Sequence, residues 1–237
     1  MKVQFIIDKD YLILHTLASI KPSDFSSNKN KKDIVSFQKY ANEFLTKQNF
    51  SIEKFFIDRP LKRSEITKKV KKHLATFKKG TEFQSILKQT ENYLLFCKKQ
   101  WKKNYPQTRK VMVGLTGLKF EKSFIVYLTH PSLRNGQYIG SNKLAWGHYE
   151  DWPNYTTIYL WHEILHSYVL NTPKNHALIE LITDNELRIR LNGGKYPPFS
   201  GHKELKNLMQ KFLPHFQEFL KSYKTTDIFH YFKKIRL

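Results

Sequence analysis

Two histidines four residues apart, with a glutamate directly after the first, stand in the segment Trp161-His162-Glu163-Ile164-Leu165-His166. On a helix, positions i and i+4 project from one face, so both imidazoles can donate to a single divalent ion, and zinc suits such a site. Glu163 lies beside them. It can take a proton from a water held on the metal and later deliver it to a leaving amine, while the metal polarises the scissile carbonyl. The neighbours Trp161, Ile164 and Leu165 are apolar, as a desolvated metal helix requires. The chemistry that this triplet can support is hydrolysis of a peptide bond; the competing reading is a pair of packed or capping histidines.

A catalytic zinc usually takes three protein ligands and a water, so the fold must bring one more side chain to the same level. Asn171-Thr172-Pro173 breaks the helix, and Thr-Pro is a natural N-cap and first-turn pair for a second one. Reflecting the chain through this turn sets His166 opposite residues 176 to 180 and His162 opposite residues 180 to 184. Glu180 falls in that window as the candidate third ligand. Asp184, one turn further on the same face, can hydrogen-bond a ligating imidazole and fix its tautomer. Glu186 is the rival ligand; it points about 240° further around an α-helix, so only one of the two glutamates can face the metal. Hydrolysis also needs a donor for the oxyanion, and the alternatives are Tyr196 and His202, both in loop-like Gly- and Pro-rich surroundings.

The pattern His-Glu-x-x-His, followed on the next helix by Glu-x-x-x-Asp, resembles the gluzincin branch of the zincin metallopeptidases, the thermolysin type, over about residues 143 to 190. The resemblance implies one zinc ion held by His162, His166 and Glu180, with Glu163 as general base, Asp184 supporting a ligand, and a small sheet against the active-site helices. It also implies peptide substrate held as an added strand just before the metal helix. That nominates Lys143 to Tyr149, with Trp146, Gly147 and His148 as substrate contacts. The interval from His166 to Glu180 is shorter than in thermolysin, whereas Glu186 stands nearer the thermolysin interval but has Arg190 in place of an Asp four residues later.

Several elements must position these residues. In the first hundred residues apolar side chains recur at three and four: Ile34, Phe37, Tyr40, Ala41, Phe44 and Leu45; then Ile66, Val70, Leu74 and Phe77; then Phe83, Ile86, Leu87, Thr90, Leu94, Cys97 and Trp101. Near Tyr105-Pro106 the pattern shifts to short β-branched and aromatic runs, Val111 to Leu115 and Phe124 to Leu128, with further strand expected at Tyr138-Ile139 and Lys143 to His148 around an Asn135-Gly136 turn signal. After Pro153 the helical period returns, with Asp151 or Asn154 as cap, and more helix is expected from Lys203 to Tyr223 around Pro214. The expected fold is α+β and predominantly helical: an N-terminal helical lobe over residues 1–105 and a zincin-like core with C-terminal helices over residues 106–237.

Composition bounds the function. The 237 residues carry 41 Lys and Arg against 20 Asp and Glu, a formal charge of +21, which codon bias can generate but which also suits nucleic acid or another polyanion. Cys97 is the only cysteine, so an intramolecular disulfide and a multi-thiolate metal cluster are excluded, and any metal must rest on His and carboxylates. No run of apolar residues reaches signal-peptide or membrane-span length, so a soluble cytoplasmic protein is expected. The leading expectation is a zinc metallopeptidase acting on peptide or protein. The alternatives are a zinc-binding, nucleic-acid-associated protein of SprT-like arrangement, or a non-catalytic zincin-like interaction domain.

Overall fold

The computed structural model describes residues 1–18, 31–51, 67–199, 201–222 and 227–235. Four strands form one sheet: β1 Lys2–Ile6, β2 Ser123–Leu128, β3 Asn135–Tyr138 and β4 Lys143–Gly147, in the order β1-β2-β4-β3. β1, β2 and β4 run parallel, and β3 returns antiparallel on β4, pairing Gly136 with Trp146 and Tyr138 with Leu144. Alternate β2 residues, Phe124, Val126 and Leu128, are buried, as the two-residue period of a half-buried strand requires.

Around the sheet lie α1 Lys9–Ala18, α2 Lys31–Lys47, α3 Lys68–Phe77, α4 Thr81–Thr116, α5 Tyr155–Leu165 and α6 Pro173–Glu180. A π-helical segment, Leu181–Leu187, continues α6 into α7 Arg188–Asn192, and α8 Lys206–Ser222 and α9 Ile228–Lys234 complete the set. The apolar residues form two clusters. The smaller joins Leu12, Ile34, Phe37, Leu74, Phe77 and Phe83 among α1 to α4; the larger joins the sheet, α5, α6, the π segment, α8 and α9 to the second half of α4.

The mixed, mostly helical architecture with a small sheet agrees with expectation, but two of its parts do not. α4 is 36 residues long and runs on through Tyr105-Pro106, where the helical pattern was expected to end. Proline inside a helix costs on the order of 3 kcal/mol, yet Trp101, Tyr105 and Thr108 all pack or hydrogen-bond against Trp161 of α5, and this tertiary contact offsets it. Val111 to Leu115, expected as a strand, is the last turn of α4, closed by Gly117 in the left-handed conformation at φ 66°. The strand that takes the vacant place is β1, in which Lys2-Val3-Gln4-Phe5-Ile6 pairs with β2 and buries Phe5. The residues before 105 are therefore part of the sheet as well as of the helical lobe. The hairpin turn between β3 and β4 is Gly140-Ser141-Asn142, all at positive φ, while Asn135-Gly136 lies within β3. Ile66 of the second helical stripe and Tyr223 fall outside the described residues.

The buried His130 links the loop after β2 to α4 and, through Gln89, to α2. His130 accepts from the Ser132 amide through Nδ1 and meets Gln89 of α4 through Nε2 at 2.9 Å, and Gln89 in turn donates to Asp33 of α2. Burial lowers the pKa of both His15 and His130 to about 4. Such groups are neutral when folded and titrate near 6.5 when unfolded, so their contribution to stability is complete above that value and is lost as pH falls from about 6.5 towards 4. Urea unfolding across this window should show stability falling with pH, and His130→Asn should remove about one proton from the slope. Trp161→Ala should cost about 3–5 kcal/mol in the same measurement, because it empties the α4–α5 contact and leaves Thr108 without its donor.

Candidate metal centre

The start of α5 is held from outside the helix. Glu150 accepts from the amides of Tyr155 and Thr156 at 3.0 and 2.9 Å, and Gln100 of α4 accepts from that of Thr157 at 2.9 Å. These bonds satisfy the amides that Asp151 or Asn154 was expected to cap; Asn154 sits at φ 62° and makes no capping bond. Trp161 packs between Trp101, Tyr105 and Phe120 and donates its indole N–H to Thr108 at 2.8 Å. With that face of α5 committed to α4, His162, Glu163 and His166 turn towards β3 and α6.

α6 begins as expected, Thr172 accepting from the Asn175 amide. Its continuation as a π-helical segment places Glu180, Thr183, Asp184 and Asn185 fully inside. Asp184 Oδ2 lies 3.1 Å from His162 Nδ1, which keeps the proton on that nitrogen and turns the Nε2 lone pair to the cleft. Glu180 Oε1 accepts from the His202 amide at 3.0 Å. The same carboxylate lies so close to Gly201, at φ 100°, that a Cβ there would sit 1.6 Å from Oε2, so residue 201 must be glycine. Asn185 accepts from the Phe199 amide at 2.9 Å and ties this loop to the helix.

His162 Nε2 and His166 Nε2 are 3.2 Å apart. His176, from the first turn of α6, presents its ring at 4.8 Å to His166 and 5.2 Å to His162, and its Nε2 is 3.8 Å from Glu180 Oε1. His202 closes the group 4.6 Å from His176, with its own Nδ1 3.2 Å from Glu204. One donor atom from each of His162, His176, Glu180 and His202 fits within a span of 4.8 Å. Glu163 borders the same cleft, which has a volume of about 350 Å³ and is walled on the other side by Gly136, Gln137 and Tyr138 of β3.

The electrostatics follow from burial. Desolvation, and then the neighbouring imidazoles, lower His166 to about 3 and His176 to about 4, so both keep free lone pairs at neutral pH. Burial raises Glu163, against the pull of His162 and a hydrogen bond from the Tyr138 backbone. Burial raises Asp184 to about 7, and burial followed by the Asp184 charge raises Glu180 to about 9. At neutral pH Glu180 therefore holds a proton that a bound cation would displace.

The donor set could hold a metal ion. Two nitrogen ligands at about 2.05 Å in tetrahedral geometry stand about 3.3 Å apart, close to the observed separation of His162 and His166. His176 Nε2 and Glu180 Oε2 are buried and have no hydrogen-bond partner among the described residues. Of the two candidate glutamates, only Glu180 reaches the cluster. Glu186 pairs with Arg190 and accepts from Tyr196 at 2.8 Å.

Three expectations need correction. Tyr196 is not an oxyanion donor to this cleft, because its hydroxyl is committed to Glu186 and its ring packs on Phe216. Lys143 to Tyr149 is not a free sheet edge, because β4 lies between β2 and β3. Trp146 is buried beneath Gly136, Gly147 is pressed on Thr129, and His148 bonds Tyr149 and stacks on Tyr155 in a separate pocket, so none of the three can contact substrate as an edge strand would. The open edge beside Glu163 is β3. The residue that sequence reasoning missed is His176. It stands at the first position of the window opposite His166, one helical turn before Glu180.

No protein-family model, curated protein or solved structure matches the chain. Asp184→Ala should weaken zinc binding about 10- to 100-fold in competition with a chromophoric chelator, whereas Glu186→Gln should leave it unchanged.

Proposed function

We propose that this chain is a zinc-dependent metallopeptidase, using His162, His166 and Glu180 to hold the ion and Glu163 as general base. The observation that carries the reading is the 3.2 Å approach of the His162 and His166 Nε2 atoms, with Glu180 in one donor group with His162, and Glu163 in the same cleft beside the edge strand β3. Its sequence counterpart is the gluzincin-like pattern of His-Glu-x-x-His and Glu-x-x-x-Asp. When bound, zinc would supply Lewis acidity, lowering the pKa of water and polarising a carbonyl.

The chain's own residues supply the rest. An extended peptide can pair with the outer side of β3, where Gly136 has no side chain to obstruct it and Tyr138 anchors Glu163 through its backbone. This lays the scissile bond across the mouth of the cleft. Glu163, whose basicity is raised by burial, takes the proton from the attacking water and passes it to the leaving nitrogen. His202, half exposed at the rim and oriented through Nδ1 by Glu204, is the donor for the developing oxyanion. Asp184 acts through His162, holding its tautomer and ring plane.

Glu163→Gln should lower hydrolysis of casein or a fluorogenic peptide by about 10²- to 10⁴-fold while zinc content by mass spectrometry is unchanged. Chelation should abolish activity and added zinc restore it. Equal hydrolysis by the metal-free protein, or by the Glu163 variant, would overturn the assignment.

A further inference from the structure

The solvent face of α4 carries six cations in 13 residues: Lys98, Lys99, Lys102, Lys103, Arg109 and Lys110, every one exposed. From Asn92 to Phe120 the sequence contains no Asp or Glu. Among the described residues none of the six makes an ion pair, whereas exposed lysines elsewhere do find partners, as Lys39 does with Glu43 one turn along α2. A solvated helix face ordinarily mixes its signs, since like charges at i and i+4 repel. This face keeps one sign at the cost of that repulsion.

The cations fall in two rows. At about 100° per residue, Lys98, Lys102 and Arg109 lie within about 40° of one another, and Lys99, Lys103 and Lys110 form a second row about 100° around. Between them runs a ridge containing Leu95, Pro106 and Val113. Each row extends about 17 Å along the axis, and with their long side chains the two can reach either side of a groove about 12 Å wide, the width of the B-DNA major groove, which admits an α-helix. The buried side of α4 carries Gln100, Asn104 and Thr108, which bond α5. The basic face is therefore on the back of the catalytic helix's support, and a polymer bound there leaves the metal cleft open.

We infer that this face of α4 is a binding surface for duplex nucleic acid, gripping phosphates on both sides of the helix. An anionic membrane is the other polyanion to consider, but an interfacial helix needs a continuous apolar strip. Leu95, Pro106 and Val113 are spaced about 10–17 Å apart along the axis and do not form one. Six phosphate contacts would make binding strongly salt-dependent, with a slope of log affinity against log salt near −5. The inference does not depend on zinc or on peptidase activity.

The test is fluorescence anisotropy of a labelled DNA duplex of about 20 base pairs with the full chain, between about 50 and 200 mM salt. The expected result is micromolar or tighter binding at low salt with that slope. Lys98→Glu/Lys102→Glu/Arg109→Glu should weaken it at least tenfold, as should Lys99→Glu/Lys103→Glu/Lys110→Glu on the other row. Lys68→Glu/Lys69→Glu/Lys72→Glu on α3 changes the net charge by the same amount and should have little effect. Because all these side chains are exposed, circular dichroism and zinc content should match the unaltered protein. Equal loss in the α3 variant would assign the binding to bulk charge and overturn the inference. So would retention of anionic phosphatidylserine vesicles without any binding of DNA.

Discussion

The contact of α4 with α5 governs the geometry of the whole site. Trp161 fills the space between Trp101, Tyr105 and Phe120 and spends its one polar atom on Thr108, while Gln100 and Glu150 satisfy the amides at the start of α5. A helix so held has no freedom to roll about its axis. Since His162 and Glu163 are the next two residues and His166 follows within about a turn, the rotation imposed at Trp161 also aims the three chemical side chains. The same rigid junction explains why α4 continues through Pro106, where local preference alone would end it.

Opposite this junction the fold gathers four imidazoles and the carboxylates Glu163, Glu180 and Asp184 around one cleft. Desolvating such groups costs several kcal/mol each unless they are paired, and much of this structure is devoted to pairing them. Asp184 and Thr183 meet His162, the His202 amide meets Glu180, Glu204 meets His202, and Tyr138 meets Glu163. His176 Nε2 and Glu180 Oε2 are buried without a hydrogen-bond partner among the described residues, and Glu180 Oε1 is the carboxylate oxygen nearer His176 and His202. The π-helical segment serves this arrangement. Across it Glu180 and Asp184 stay with the imidazoles while Glu186 pairs with Arg190 and Tyr196.

The sheet makes a second demand. Of the two edge strands, β3 is the one that lines the cleft beside Glu163, as the proposed peptide-binding edge requires. Gly136 allows it, because a Cβ there would meet the Trp146 ring at 2.9 Å and lift the strand from its partner. The preceding loop is anchored to the helical lobe through His130, Gln89 and Asp33, so the lobe supports the β3 side of the cleft as well as shielding its own core.

Local preferences were enough to place α5 and α6, the Thr172 cap between them and the strands β2 and β4, and to put His162, Glu163, His166, Glu180 and Asp184 forward as candidates. Apolar period, capping and turn chemistry act between residues a few positions apart, so a single chain displays them directly. Long-range pairing decided the rest. That β1 joins the sheet, that β3 and not β4 is the edge, that α4 overrides its proline and that Tyr196 spends its hydroxyl on Glu186 all depend on residues tens of positions away. His176 lies inside the window that the turn defines, but its place among the rings of His162, His166 and His202 exists only once α5, α6 and the 201–202 loop have packed.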